Sequence, residues 1–309
     1  MKIAVLDLGT NTFHLLIVNV NRDGSFKKIF KSKIAVKLGE GAINRNMIAE
    51  IPFNRGLEAL KHYSEIISKY RPHTTVAYAT SGIRSAMNGK KFIAKVRKET
   101  GLKIRVISGD KEAELIYYGV RESFRMSEEK QLIMDIGGGS TEFIIANSKK
   151  IFWKKSFDIG ASRLLEHFNP SDPVKPSEIK KLERYLTREL EPLTNALKKY
   201  PVTSLIGSSG SFDTFAEMIG WKYHRKDVLK NVETYQFNMK EYFSLYRILL
   251  KSTAAERTKM KGLIKMRIDM IVLAGICTSL VLRKFKLKEM FVSKSALKEG
   301  ALWEAIQKL

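Results

Sequence analysis

One stretch of this chain occurs twice, and the repeat constrains the fold more than any other feature. The first copy, "IAVLDLGTNTFHLLIVN", begins at Ile3, and the second, "LIMDIGGGSTEFIIAN", begins at Leu132. The copies lie 128 residues apart, and the equivalent positions are Asp7 with Asp135, Gly9 with Gly137, and Thr12 with Ser140. Each copy has an apolar strand, an aspartate, a turn rich in glycine and hydroxyl groups, and a second apolar strand. This pattern predicts two β-hairpins of the same design.

The duplication predicts two similar domains that face each other across a cleft. A chain of 309 residues with 44 % hydrophobic residues is long and apolar enough for two cores. Strands alternate with helices after each hairpin, which indicates an α/β fold. In "LKIRVISGDKEAELIYYGV" a strand is followed by a helix, and Glu112 falls in the first turn of that helix.

The turns of the two hairpins are candidate anion sites. Successive backbone N–H groups and Ser or Thr hydroxyls bind phosphate, and an aspartate at a strand end is a suitable oxygen ligand for Mg²⁺. Turns of this composition are also common in hairpins without any ligand, so one copy alone would be weak support. The retention of the aspartate in both copies favours phosphate binding. A third glycine- and serine-rich loop, Gly207 to Gly210 in "IGSSGSF", precedes a predicted helix and is another candidate.

The charge of the chain is strongly positive. Lys and Arg number 55 against 32 Asp and Glu, which gives a net charge of +23. Such an excess attracts polyanions, although a basic surface that is merely solvated is an equal alternative. The five histidines show no metal-ligand spacing, and the serines of "GSSGS" lack a paired His and Asp for nucleophilic catalysis.

The chain is expected to be cytoplasmic. Cys277 is the single cysteine, so no intrachain disulfide can form and a reducing compartment is the simplest setting. Asp7 interrupts the apolar run that a signal peptide would need, and the longest apolar run, from Met270, is too short to span a membrane. Neither a membrane nor a specific nucleic acid is expected as a partner, and a homodimer is left open.

Seven motifs, in order, resemble the exopolyphosphatase / guanosine pentaphosphate phosphohydrolase family. They are "LDLGTNTFHLLI", "ATSGIRSAMN", "ISGDKEAELIYYGV", "DIGGGSTEF", "GASRL", "IGSSGSFD" and "RIDMIVLAG". That family belongs to the actin-like ATPase superfamily, so the resemblance implies two ribonuclease-H-like domains with an active site between them. It places domain I at residues 1–122, with the C-terminal helix 298–309 packed back on it, and domain II at residues 123–297.

The same resemblance assigns roles to residues. Glu112 becomes the catalytic carboxylate, while Asp135 and Glu142 become the acids associated with Mg²⁺ or another divalent cation. The phosphate-binding set is Thr10, Asn11, Thr12, Arg84, Gly137, Gly138, Gly139, Ser140, Gly207, Ser208, Ser209, Gly210 and Arg267. Within that set, Arg267 matches a family arginine whose role is left open. The chain departs from the family at Lys111, where many members have an acid, and at Lys298, where they have arginine.

The implied function is hydrolysis of a phosphoanhydride. The leading hypothesis is release of terminal phosphate from inorganic polyphosphate, conversion of guanosine pentaphosphate to the tetraphosphate, or both. The positive charge favours the longer polyanion. Two alternatives come from other classes: a nucleotide-dependent kinase of the same superfamily, and a non-catalytic sensor that binds polyphosphate or the guanosine nucleotide. Fold alone does not choose among them, because one scaffold supports many chemistries.

Overall fold

A computed structural model describes residues 1–308 of the chain, which form two β-sheets with helices packed around them. The first sheet contains β1 Lys2–Leu8, β2 Thr12–Val20, β3 Phe26–Ala35, β4 Thr74–Ala79 and β5 Arg105–Val106. The second sheet contains β6 Gln131–Ile136, β7 Thr141–Ala146, β8 Ile151–Phe157, β9 Ser204–Ser208, β10 Thr234–Gln236 and β11 Glu289–Ser293.

The two sheets have the same topology. In the first, the strand order is β3-β2-β1-β4-β5, in which β1, β2 and β3 are antiparallel and β4 and β5 run parallel to β1. In the second, the order is β8-β7-β6-β9-β11, with β10 added at the edge. Its first three strands are again antiparallel, and the next two are parallel to β6. The predicted duplication and the predicted fold class, two ribonuclease-H-like halves, are therefore confirmed.

The helices cover the faces of both sheets. They are α1 Glu50–Tyr70, α2 Ser81–Arg84, α3 Gly89–Thr100, α4 Gly109–Ser123, α5 Ala161–Phe168, α6 Pro176–Glu189, α7 Glu191–Lys199, α8 Gly210–Ile219, α9 Met239–Lys251, α10 Ala254–Arg257, α11 Met270–Lys284 and α12 Leu297–Ile306. Every residue of β6 and β7 is buried, as expected for strands that are covered on both faces.

Local sequence explains how α4 begins. The Ser108 hydroxyl caps the helix by accepting a hydrogen bond from the Lys111 N–H at 3.2 Å. Asp110 and Glu112 lie in the first turn, where the partial positive charge of the helix N-terminus favours carboxylates. The predicted helix start with Glu112 in its first turn is confirmed.

A shared apolar core joins the two halves. It includes Ile3 and Val5 of the first sheet, Ile133 and Ile206 of the second, and residues of α4 and α12. The C-terminal helix α12 packs against α4 and also against β1, β2 and β4. Each half has a further core of its own on the other face of its sheet. The predicted domain boundaries stay a prediction, and the last residue of the predicted C-terminal helix, residue 309, lies outside the described residues.

The apolar run from Met270 forms the buried helix that its composition predicts. All positions from Ile271 to Leu282 in α11 are buried. Across residues 1–308, none of the helices combines the length and the apolar character needed to cross a membrane.

Candidate active site

A cavity of about 440 Å³ lies between the two hairpin turns. Most of the predicted site residues line it, although they come from five separate parts of the chain. These are Thr10, Asn11, Thr12, Glu112, Asp135, Gly137, Gly138, Gly139, Ser140, Ser209, Gly210 and Arg267. The duplicated fold explains this arrangement, because each hairpin presents its turn at the same edge of its sheet.

In the turn of the first hairpin, between β1 and β2, the backbone carbonyl groups of Thr10 and Asn11 are hydrogen-bonded to residues that the structure describes, whereas their N–H groups are not. The carbonyls of Thr10 and Asn11 accept hydrogen bonds of 2.6–2.9 Å from the backbone N–H groups of residues 36–38. Within residues 1–308, no acceptor is found for the N–H groups of Thr10 and Asn11. Thr10 is buried and Asn11 is half-buried, and N–H groups without a partner in such a turn are available to an anion.

The second turn has the same design. The N-terminus of α5 donates to its carbonyls: Ala161 N–H to Gly137 O and Ser162 N–H to Gly138 O, both at 2.9 Å. Among the described residues, no acceptor is found for the N–H groups of Gly138 and Gly139. The two turns therefore offer free donors to the same cavity.

The glycines of the second turn allow the two turns to touch. A Cβ atom on Gly138 would lie 2.7 Å from Asn11 Nδ2. A Cβ atom on Gly139 would lie 2.6 Å from Ser81 Oγ and 2.8 Å from Thr10 Oγ1. A side chain at either position would have to displace Asn11, Ser81 or Thr10, so the glycines allow the close approach of the two halves.

Glu112 is a buried carboxylate at the cavity wall. It is 7 % exposed, and Arg84 Nη1 donates to Glu112 Oε2 at 2.7 Å. Burial raises the pKa of Glu112 to about 7, even though the Arg84 guanidinium opposes the shift; the carboxylate of Asp135 adds to it. A carboxylate with a pKa near neutrality can accept a proton and release it again during turnover.

Three further acids lie close to Glu112. Burial raises the pKa of Asp7 to about 7 and also raises the pKa of Asp135 and Glu142. Asp7 and Asp135 line the cavity, and Asp135 Oδ2 accepts a hydrogen bond from the Ser208 hydroxyl at 2.6 Å. Their mutual repulsion contributes to the upward shifts, so the cluster is suited to a cationic ligand.

Basic side chains line the same cavity as the acids. Lys31 and Lys33 of β3 line it together with Lys294, Lys298 and Arg267. Lys31 and Lys33 are two residues apart on one strand and therefore lie on the same face of the sheet. The cavity therefore contains both a cluster of carboxylates and a set of basic side chains, called the basic wall below. The carboxylates suit a metal cation, and the basic side chains suit the negative charges of a polyanion.

Lys298 is the buried cation of this site. Burial lowers its pKa, but the carboxylates of Glu299, Asp7 and Asp213 more than offset this and the net shift is upward. Its ammonium group contacts Glu299 Oε1 at 3.0 Å, and its charge lowers the pKa of both Asp7 and Asp135. At this position the family that the sequence resembles has arginine, whereas this chain has Lys298.

Four of the predicted site residues lie outside the lining of the cavity. Arg84 contacts Glu112, and Ser208 contacts Asp135, so each holds a residue that does line it. Glu142 is 1 % exposed, and its Oε1 accepts hydrogen bonds from the hydroxyls of Ser140 and Ser156, both at 2.6 Å. A Cβ atom on Gly207 would lie 2.0 Å from the Phe212 ring, so this glycine serves the packing of α8.

Sequence reasoning missed several residues of the site. Lys31, Lys33, Ser81, Asp213 and Lys294 line the cavity without belonging to the predicted set. Alternation along β3 could have indicated the first two, because it places both lysines on one face. Asp213 ends the "IGSSGSFD" motif and so follows a predicted site loop, whereas nothing in the local sequence around Lys294 indicates that the fold brings it to this cleft.

Comparisons with known proteins identify the family of this chain. The family model described as the Ppx/GppA phosphatase family matches residues 17–309. The chain belongs to the Ppx/GppA phosphatase family. The predicted family and the predicted enzyme class, a phosphoanhydride hydrolase, are thereby confirmed.

Individual relatives cover nearly the whole chain. The crystal structure of an exopolyphosphatase from Cytophaga hutchinsonii is 37 % identical and superposes with a TM-score of 0.96, covering 100 % of this chain and 99 % of that one. Exopolyphosphatase 1 of Mycobacterium tuberculosis is 25 % identical over 98 % of this chain and 87 % of its own length. A bifunctional 3-dehydroquinate synthase/phosphatase of Fusobacterium nucleatum is 33 % identical over 98 % of this chain, which spans 46 % of that protein's length.

The acids of this Ppx/GppA phosphatase fit a hard divalent cation. Asp7 and Asp135 offer carboxylate oxygens at the cavity wall, which Mg²⁺ prefers. In the described part of the chain, however, no three His, Cys, Asp or Glu side chains converge closely enough to hold an ion by themselves. That donor set suits Mg²⁺, which commonly takes one or two carboxylates and completes its shell with water and substrate phosphates.

Proposed function

We propose that this protein is a Mg²⁺-dependent exopolyphosphatase that releases the terminal phosphate of inorganic polyphosphate. One observation carries the proposal. Two equivalent turns touch across a cleft, offer unbound N–H groups from Thr10, Asn11, Gly138 and Gly139 to one cavity, and stand beside the carboxylate of Glu112. Phosphoryl transfer to water requires hydrogen-bond donors around the transferred phosphate and a base for the attacking water, and this arrangement supplies both.

The terminal phosphate is assigned to the space between the turns. There the four free N–H groups and the hydroxyls of Thr10 and Thr12 would donate to its oxygens. These N–H groups are held in place before substrate arrives. The carbonyl groups of the same turns already accept hydrogen bonds from the segment 36–38 and from the N-terminus of α5. Preorganised donors stabilise the charge of the transferred group without further reorganisation.

Glu112 is assigned the role of general base. Water attacks the terminal phosphorus, the bridging P–O bond breaks, and the shortened chain leaves with the bond electrons. Glu112 accepts the proton of the attacking water, for which its carboxylate must be ionised. Arg84 supports that state, since its guanidinium lowers the pKa of Glu112 against the effect of burial.

Asp135 and Asp7 are the acids best placed to hold Mg²⁺. When bound, the ion neutralises part of the charge that the phosphate oxygens carry. Glu142 is assigned a supporting role, since it lies behind the lining and fixes the hydroxyl of Ser140. The hydroxyl of Ser208 orients the carboxylate of Asp135 in the same way.

Polyphosphate is favoured over guanosine pentaphosphate by the basic wall. Lys31, Lys33, Lys294 and Arg267 line the same cavity as the two turns. A linear polyanion can contact several of them at once, and electrostatic affinity grows with the number of phosphates contacted. The relatives named exopolyphosphatases in two bacteria support the same substrate. A cytoplasmic location is part of the proposal.

The test is phosphate release from long-chain polyphosphate and, separately, from guanosine pentaphosphate, each with Mg²⁺. Wild type is compared with Glu112→Gln and with Glu114→Gln, a control on the same helix whose carboxylate pairs with Lys111 and Lys154 outside the cavity. We expect release from polyphosphate that is lost only in Glu112→Gln. Release from the nucleotide alone would instead assign guanosine pentaphosphate hydrolysis.

The same assay separates the other classes of function. Release without any added acceptor contradicts a kinase, which needs a second substrate to receive the phosphoryl group. Tight binding of polyphosphate with no release by wild type would overturn the enzymatic proposal and indicate a sensor.

A further inference from the structure

The "GASRL" motif contains an arginine with no part in the chemistry described above. Arg163 lies in the first turn of α5, and its side chain is only 12 % exposed. Its Nε donates to Gly139 O at 3.1 Å, within the second turn. Its Nη1 donates to Ile43 O at 3.2 Å, and its Nη2 lies 3.4 Å from Ser85 Oγ. One guanidinium thus contacts the second phosphate-binding turn and two segments of the other half.

The neighbours of Arg163 strengthen the same junction. Asn44 Nδ2 donates to Arg163 O at 3.1 Å, and the Asn44 N–H donates to Glu166 Oε1 at 3.2 Å. Asn44 belongs to a short 3₁₀ turn of the first half, Ile43–Arg45, whereas Arg163 and Glu166 belong to α5 of the second half. These three residues, Asn44, Arg163 and Glu166, are called the latch below.

The latch differs in kind from the apolar junction between the halves. Where α4 and α12 join the sheets, the contact is a continuous apolar core that excludes water. The latch is made of polar groups whose hydrogen bonds can be exchanged for bonds to water at little net cost. A junction of this kind can open and close, whereas the apolar core holds the halves together throughout.

We propose that Arg163 is a positioning residue that holds the cleft closed, with the turns 9–12 and 137–140 against each other. The inference rests on the proposed function, since closure serves catalysis only if phosphate binds between these turns. The planar guanidinium is suited to the task because its N–H groups reach three acceptors in different directions, which a lysine ammonium on a flexible stem does not reproduce. Loss of the latch shifts the population toward an open cleft and lowers the fraction of bound substrate in the reactive geometry.

Closure is measured independently of activity by energy transfer between two dyes. Lys91 on α3 and Lys180 on α6 are exposed and lie in different halves, and the natural Cys277 is buried. The labelled protein with Lys91→Cys and Lys180→Cys is studied with and without Arg163→Ala and Arg163→Lys. The matched control is Arg188→Ala, which removes an exposed arginine of α6 whose contacts, Glu189 and the Tyr185 ring, both lie on its own helix.

We expect a new population of low energy transfer in Arg163→Ala, a smaller one in Arg163→Lys, and none in Arg188→Ala. For polyphosphate hydrolysis, kcat of Arg163→Ala falls about tenfold while KM changes less, because substrate still reaches the donors but the turns close less often. Added guanidinium ion restores part of kcat in Arg163→Ala and nothing in Glu112→Gln.

Two outcomes separate the inference from the function beneath it. Unchanged energy transfer in Arg163→Ala overturns the latch, whatever happens to activity. A new open population in Arg163→Ala, together with a wild type that releases no phosphate from either substrate, supports the closing contact and overturns the proposed function.

Discussion

Arg84 Nη1 donates a hydrogen bond to Glu112 Oε2 at 2.7 Å, so the arginine serves the carboxylate and not the lining of the cavity. The Ile107 carbonyl accepts a second hydrogen bond from the same nitrogen at 3.2 Å, which fixes the guanidinium behind the site. This relationship changes what a substitution of Arg84 should do. An arginine that held phosphate would affect substrate binding, whereas one that holds the base affects the chemical step.

The first prediction concerns Arg84→Ala. Because the guanidinium lowers the pKa of Glu112 against burial, its loss leaves the base more often protonated and less well oriented. We expect kcat at pH 7 to fall at least tenfold with a smaller change in KM, and the pH at half-maximal rate to rise. Initial rates over a range of pH measure both. A large increase in KM at constant kcat would instead assign Arg84 to substrate.

The second prediction concerns the pH dependence of wild type. Burial raises the pKa of Glu112 to about 7, and only its ionised form can accept the proton from water. We expect kcat/KM to rise through pH 7 and level off above pH 8, following a single ionisation. Profiles at fixed Mg²⁺ between pH 5 and 9 test this. A rate that is flat between pH 6 and 8 would contradict Glu112 as the titrating base.

The third prediction concerns stability. The pKa values of Asp7 and Glu112 are about 7 in the folded chain against 3.8 and 4.5 ordinarily, so the folded state binds protons that the unfolded state has lost. This contribution to the free energy of unfolding is fully present below about pH 4 and is lost as the pH rises through 7. For Glu112 alone it amounts to about 3 kcal/mol at most.

Above pH 7 the folded chain must hold an ionised, buried Glu112 carboxylate, which lowers the free energy of unfolding. Glu112→Gln removes this cost because glutamine carries no charge. We therefore expect the variant to unfold at higher urea concentration than wild type at pH 8, and the difference to shrink towards pH 5. Chemical denaturation without Mg²⁺ measures it, with Glu114→Gln as the control. An active-site substitution that abolishes activity and stabilises the fold is a known pattern where function requires buried charge. Equal midpoints for wild type and Glu112→Gln at pH 8 would show that the buried carboxylate carries no such cost.

The repeated hairpins show how far sequence alone determines this architecture. Alignment of Asp7 with Asp135 predicts two equivalent hairpins, and the sheets have matching strand orders. Local patterns also predict the helix that begins at Gly109 and the buried helix after Met270, because capping and apolar periodicity act over a few residues.

The partners within the site could not be predicted in the same way. That Arg84 faces Glu112, and that Glu142 lies behind the cavity bound to two serines, depends on packing between distant elements. Lys298 reaches Asp7 only because the C-terminal helix returns to the first sheet. Such contacts are set by the folded chain as a whole and leave no periodic signal in the sequence.

The fourth prediction concerns the metal. Asp135 lines the cavity and its pKa is raised by burial, so a divalent cation bound there relieves a buried negative charge. We expect Mg²⁺ to raise the melting temperature of wild type and to do so less in Asp135→Asn. The control is Asp110→Asn, an exposed acid in the first turn of α4. The same stabilisation in wild type and Asp135→Asn would place the ion elsewhere.

The last prediction concerns the basic wall. If Lys31 and Lys33 contact phosphates beyond the terminal one, each alanine substitution removes one ionic contact, and the slope of log affinity against log salt decreases by about 0.7 per lysine. KM for long-chain polyphosphate should rise several-fold, while KM for guanosine pentaphosphate changes less, because the shorter anion reaches fewer lysines. Lys27→Ala is the control, since Lys27 lies on the same strand outside the cavity. An unchanged salt slope in Lys31→Ala and Lys33→Ala, or an equal effect on both substrates, would remove the basic wall from the explanation of substrate preference.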